Sequence, residues 1–122
     1  MVSQKVEAYG GIVTDHAFSS IEIKPSYAEL MPRDASTKQI TVEVRRLDRI
    51  LLELGISKVD LLSVDVEGWE IEVMQGLNTQ RVDCPVVVLE NFGHDPSYTS
   101  YMQRAGYKLA LKIEYNYIFH KM

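Results

Sequence analysis

A chain of 122 residues, 46% hydrophobic and 25% charged, has the length and composition of one globular domain, which excludes disordered and fibrous classes. Its formal charge of −4 offers no general field for a phosphate backbone, so no nucleic-acid partner is expected, and its single cysteine, Cys84, excludes an internal disulfide or a multi-cysteine zinc site. No apolar run reaches the roughly 20 residues that span a bilayer, and residues 1–7 lack the apolar stretch of a secretory signal, so the expectation is a cytoplasmic protein that meets no membrane.

Residues 1–46 read as an irregular strand-and-loop region within a single domain, 1–122. Ser20-Ile21-Glu22-Ile23-Lys24 and Gln39-Ile40-Thr41-Val42-Glu43-Val44-Arg45 alternate polar and apolar like half-exposed strands, and residues 25–36 look like loop. Gly10-Gly11 reads as a plain turn; the rival reading is a nucleotide loop, but the pair is not G-x-G in form and Asp15 is too close to bond a ribose. Arg45, Arg46 and Arg49 form a basic cluster, read as a solvated face rather than a phosphate site.

From residue 47 the pattern becomes regular. Leu47, Ile50, Leu51 and Leu54 fall at i, i+3, i+4 and i+7, one stripe of a short helix that Gly55 ends. Residues 59–66 follow with Val59, Leu61, Leu62, Val64 and Val66, apolar on both faces as suits a central parallel strand covered by helices. Residues 69–75 read as the next helix, with Glu70 in its first turn, Val73, Met74 and Leu77 buried, and Gly76 as its stop. Pro85 introduces Val86-Val87-Val88-Leu89, a second central parallel strand. Asp95-Pro96-Ser97 turns into a helix over residues 98–105, closed by Gly106. Tyr107–Ile113 and residues 115–120 lie too close together for a crossover helix and should pair as an antiparallel hairpin.

Ligands of open parallel sheets gather outside the carboxyl ends of the strands. One strand here ends in Asp65 and Glu67, which alternate along the chain and so point to one face, and Gly68 lets the backbone turn into the next helix. The other ends in Glu90-Asn91, followed by Phe92-Gly93-His94. If the strands are neighbours, these groups line one crevice. The competing reading has Asp65 and Glu67 as caps of the Trp69 helix; it explains one carboxylate better than two. Two carboxylates at one strand tip also suit magnesium or calcium, with Asp65 as a ligand. His16 and His120 lack metal-ligand spacing, and Tyr98, Tyr101 and Tyr107 read as aromatic packing.

The run Arg46-Leu47-Asp48-Arg49-Ile50-Leu51, then Val59-Asp60-Leu61-Leu62-Ser63-Val64-Asp65-Val66-Glu67-Gly68-Trp69-Glu70, Val73-Met74-Gln75-Gly76-Leu77 and Val86-Val87-Val88-Leu89-Glu90-Asn91 resembles the carboxyl-terminal half of an FkbM-type methyltransferase. The resemblance covers about residues 40–122. It implies an α/β fold: a partial, Rossmann-like class I methyltransferase sheet with parallel central strands and a carboxyl-terminal antiparallel hairpin, lacking the first strands that bind the donor. The implied activity is S-adenosylmethionine-dependent O-methyl transfer to a hydroxyl of a small acceptor, a sugar or natural product. Asp65 would face the transferred methyl or position the acceptor, directly or through a metal, with Glu67, Glu90, Asn91 and His94 around it. No donor-binding residue is assigned, so the expectation is a truncated domain inactive alone; the alternative is a non-catalytic remnant serving as an assembly or binding module. Without its usual neighbour the strand at 59–66 would expose an edge, which a second copy in a homodimer, the first 46 residues or a separate chain would cover.

Overall fold

In the computed structural model, which describes residues 4–13, 16–20, 25, 29 and 38–122, the chain forms two sheets and three helices among those residues. Strands β1 (Gln4–Val13), β2 (His16–Ser20) and β3 (Lys38–Val44) make an antiparallel sheet in the order β2-β1-β3. The segment expected to alternate at 39–45 supplies β3. Gly10 and Gly11 correct the expectation of a turn: they lie inside β1, and Gly10 pairs with Ser19 on one side and Lys38 on the other. Ladder hydrogen bonds on both edges hold a strand there with little help from side chains. Asp15, residues 21–24 and the expected loop at 25–36 other than Pro25 and Glu29 lie outside the described residues.

Helix α1 (Leu47–Glu53) forms where the apolar stripe places it, and Gly55 stops it at φ 69°. Leu51 is buried and Leu47 and Ile50 are half-buried, but Leu54 is 67% exposed. The helix ends one residue earlier than the stripe implies; Leu54 is its C-cap and leaves the buried face. Asp48 anchors the helix start. Its N–H donates to the Gly76 carbonyl at 2.9 Å, and its carboxylate accepts from Arg46 at 2.8 and 3.1 Å and from the Asn78 N–H at 3.2 Å. The Arg46 guanidinium holds the Asp48 carboxyl below its usual range.

The second sheet runs β4-β5-β7-β6 and comprises β4 (Leu61–Val64), β5 (Val86–Glu90), β6 (Tyr107–Ile113) and β7 (Asn116–Lys121). The pair β4 and β5 is parallel, joined through α2 (Glu70–Gln75), and the antiparallel hairpin β6–β7 docks with its last strand against β5. As expected, β5 is central, with Val87 and Leu89 fully buried. The central position read from the apolar pattern of the 59–66 strand needs correction, whereas the exposed edge implied by the resemblance is found among the described residues. The strand is shorter and lies at the edge, no described strand pairs with its other side, and Leu61 is 58% exposed. Its two-sided apolar pattern meets only one covered face: Leu62 and Val64 pack inward while Leu61 and Ser63 stay open.

The core fills that inward face. Val87, Leu89, Tyr117 and Phe119 from the sheet meet Met74 and Leu77 after β4, and Tyr98 and Met102 on α3 (Pro96–Arg104). Tyr98 and Met102 are four residues apart, so one stripe of α3 carries both. Asp95 caps α3 by accepting from the Ser97 N–H at 2.8 Å, Pro96 begins it without a lost donor, and Gly106 ends it at φ 91°. Buried Tyr107 donates its hydroxyl to the Cys84 carbonyl at 2.7 Å, and burial pushes its pKa up to about 12. Among the described residues no helix is long and apolar enough to cross a membrane.

Candidate active site

Parallel pairing sets the register at the strand tips. Val64 lies opposite Leu89, so the next residues, Asp65 and Glu90, leave adjacent strands side by side, on the face away from the core. After Asp65 the chain turns sharply, with Glu67 at φ 54° and Gly68 at φ 98°. The turn brings Glu67 back, and one carboxylate oxygen from each of Asp65, Glu67 and Glu90 lies within 4.8 Å of the others. Burial, a hydrogen bond to Asp65 and the charges of Asp65, Glu67 and Glu70 push Glu90 up to about 8. Glu67 is also raised, by burial first and then by Glu70. Three convergent carboxylate oxygens are a donor set of the type hard cations accept, and a shared proton answers the same crowding.

A fourth carboxyl shapes the turn from beneath. Glu70 is 1% exposed; its Oε1 accepts from the N–H groups of Val66 at 3.0 Å and Gly68 at 3.3 Å, and its Oε2 accepts from the Tyr98 hydroxyl at 2.5 Å. Trp69, the N-cap of α2, makes no side-chain cap bond, so Glu70 satisfies amides of the turn that the capping reading gave to Asp65 and Glu67. Burial and the Glu70 carboxylate drive the Tyr98 pKa far upward, so its hydroxyl stays a donor. Packing alone does not describe Tyr98. The D-x-E-G-x-E spacing was visible in the sequence, but a partner 28 residues away was not.

Glu90 also lines a cleft of about 600 Å³ with Gly68, Asn91, Phe92, His94 and Tyr98, while Asp65 and Glu67 stand outside its lining. Asn91 is 1% exposed and commits both ends of its amide to the Asp95 backbone, donating to the carbonyl at 2.9 Å and accepting from the N–H at 2.8 Å. It closes the loop that presents His94. His94, at φ 50°, shares a 2.8 Å hydrogen bond through Nδ1 with the Tyr117 hydroxyl and lies near the rings of Tyr115 and Tyr117, 5.4 and 5.8 Å between centroids. Phe92 packs on Tyr115 at 4.7 Å. The structure thus brings Asp65, Glu67 and Glu90 together, places Asn91 and His94 on the cleft that Glu90 enters, and gives the cleft an aromatic lip.

Comparison with known proteins places the chain in a family. The Methyltransferase FkbM domain family matches residues 2–109. A protein named Methyltransferase 1 from Beauveria bassiana (strain ARSEF 2860) is 37% identical over 65 residues, 52% of this chain and 25% of the relative. The AMB antimetabolite synthetase AmbE of Pseudomonas aeruginosa is 46% identical over 35 residues, 29% of this chain and 2% of the synthetase. The chain therefore spans a quarter or less of the length of these relatives. No solved structure matches it. Matched along most of its length, the chain belongs to the FkbM methyltransferase domain family.

Proposed function

We propose that this domain serves methyl transfer from S-adenosylmethionine to a hydroxyl group of a small acceptor, with the Asp65–Glu67–Glu90 corner on the acceptor side. The observation that carries the reading is the convergence of those three carboxylates at the tips of neighbouring strands, in a chain of this family. The order β4-β5-β7-β6, a parallel pair followed by an antiparallel hairpin, supports reading residues 47–122 as the carboxyl-terminal half of a Rossmann-like class I sheet. The donor, when bound, supplies an electrophilic methyl on a sulfonium. Gly10-Gly11 lies in a paired strand and does not fit the glycine-rich turn that approaches such a ligand. Donor binding therefore rests on the family alone.

The chain's own residues suit the acceptor. A hydroxyl attacking a methyl group must lose its proton, and carboxylates at hydrogen-bond reach take it. Glu90, with a pKa near 8, is a stronger base than an ordinary carboxylate once it is deprotonated, and Asp65 beside it accepts a second hydrogen bond. Asn91 acts as a positioning residue for the 91–95 loop, and His94, held by Tyr117, borders the acceptor space. A reducing, cytoplasmic setting accords with the free thiol of buried Cys84.

Calorimetric titration of the purified chain with S-adenosylmethionine tests the reading. Saturable heat establishes a donor site in this chain itself, in which case Asp65→Asn and Glu90→Gln should keep the heat but transfer methyl groups about a hundredfold more slowly. No heat at millimolar donor overturns activity of this chain alone. The second reading, an assembly or binding module, is favoured by the edge of β4, which no strand pairs among the described residues, and by exposed Leu61. A second copy pairing there makes a homodimer. Sedimentation showing a monomer that binds donor removes that reading.

A further inference from the structure

At the opposite end of the parallel strands the structure gathers basic groups that the sequence keeps apart. Arg46 and Arg49 belong to the entry of α1, and Arg81 lies more than thirty residues later in the turn before β5. All three line one groove of about 320 Å³, whose apolar lining is Leu52, Ile56 and Val82. The sequence reading of a solvated basic face did not include Arg81.

The walls of the groove are fixed before any ligand arrives. The segments leading into β4 and β5 are clamped together, with the Asp83 N–H donating to the Ser57 carbonyl and the Val59 N–H to the Asp83 carbonyl, each at 2.8 Å. Asp48 holds Arg46 through two hydrogen bonds and draws in the Asn78 N–H, tying α1 to the turn that carries Arg81. Among the described residues no ion pair neutralises Arg49 or Arg81. The lining residues carry three guanidinium groups against the one carboxylate of Asp48, a formal surplus of two positive charges, on a chain whose formal net charge is −4. Guanidinium forks match phosphate oxygens, and two net charges match a dianion. The apolar lining residues suit a non-polar stem beside the anion, and the volume lies at the small end of the roughly 300–1,000 Å³ typical of small-molecule sites.

We propose that this groove binds the phosphate monoester end of a small molecule carried on an apolar stem. The site is separate from the acidic corner and does not depend on the methyl-transfer reading.

Phenyl phosphate serves as the probe, titrated calorimetrically into the whole chain at constant ionic strength, with inorganic phosphate as comparison. Saturable binding is expected, about tenfold tighter for phenyl phosphate than for inorganic phosphate and at least about tenfold weaker in Arg49→Gln/Arg81→Gln. Glu90→Gln should bind the probe as the parent does. Both arginines are exposed, and a thermal melt of the double variant matching the parent excludes misfolding as the cause of any loss. The proposal is overturned if phenyl phosphate shows no saturable binding at millimolar concentration, if the double variant binds it undiminished, or if phenyl sulfate, a monoanion of the same shape, binds equally well.

Discussion

At the carboxyl ends of β4 and β5, Asp65, Glu67 and Glu90 crowd together above buried Glu70; at the amino ends, Arg46, Arg49 and Arg81 share a groove with one acid, Asp48. Both ends concentrate like charge, yet they relieve it differently. A carboxyl can take up a proton, and Glu90, with its pKa near 8, does so across the neutral range. Guanidinium groups do not titrate under such conditions, so the arginines must be paired, hydrated or met by an anion. One end of the sheet is therefore tunable by pH, and the other by ligand.

The largest effect should come from removing the support under the acidic turn. Glu70→Ala leaves the Val66 and Gly68 amides and the Tyr98 hydroxyl without their acceptor, and should cost about 3 kcal/mol, lowering Tm by roughly 10 °C in a denaturation melt. Tyr98→Phe, which frees one oxygen of Glu70, should cost about 1.5 kcal/mol by the same measurement.

The pH dependence sharpens the contrast next. The folded-state pKa of Glu90 lies above its ordinary 4.5, so its contribution to stability is full below that value and is lost as pH rises through about 8. Melts between pH 4.5 and 9 should show a decline of about 1–2 kcal/mol after allowance for solvent screening, and Glu90→Gln should flatten it. A parent profile as flat as the variant's would show that the corner is not holding a proton. At the amino end, Asp48→Asn should cost about 1 kcal/mol with little pH dependence above pH 5, because the lost partner is an arginine. The smallest expected effect is that of a cation: millimolar magnesium or calcium should raise Tm by about 1 °C at pH 9, where Glu90 has lost its proton, and not at pH 5.

Much of this contrast was legible in the sequence because it follows from short spacings. The two-residue spacing of Asp65 and Glu67 put them at one tip, although a turn at Glu67 and not strand alternation brings them together, consecutive parallel strands placed Glu90 beside them, and Gly55, Gly76 and Gly106 marked helix ends correctly. What escaped depends on distant partners. Whether β4 is central or an edge is decided by which strands lie beside it, and its own apolar pattern is the same in either case. The Tyr98–Glu70 bond and the arrival of Arg81 in the Arg46–Arg49 groove join segments about thirty residues apart, and no local periodicity encodes them. Asn91 shows the converse: its position at a strand tip suggested chemistry, while its neighbours Asp95 and Pro96 made a loop that consumes its amide.

The backbone at Glu67 has a further consequence. A side chain in the left-handed region at φ 54° costs the fold on the order of 1 kcal/mol relative to glycine, which adopts that conformation freely. Selection for folding alone would replace Glu67 with glycine or asparagine, and each such replacement would delete one carboxylate from the corner. Libraries of this domain sorted separately for heat resistance and for turnover should therefore diverge at residue 67 before they diverge elsewhere in the turn, making the identity of that one side chain a record of which pressure the sequence has been under.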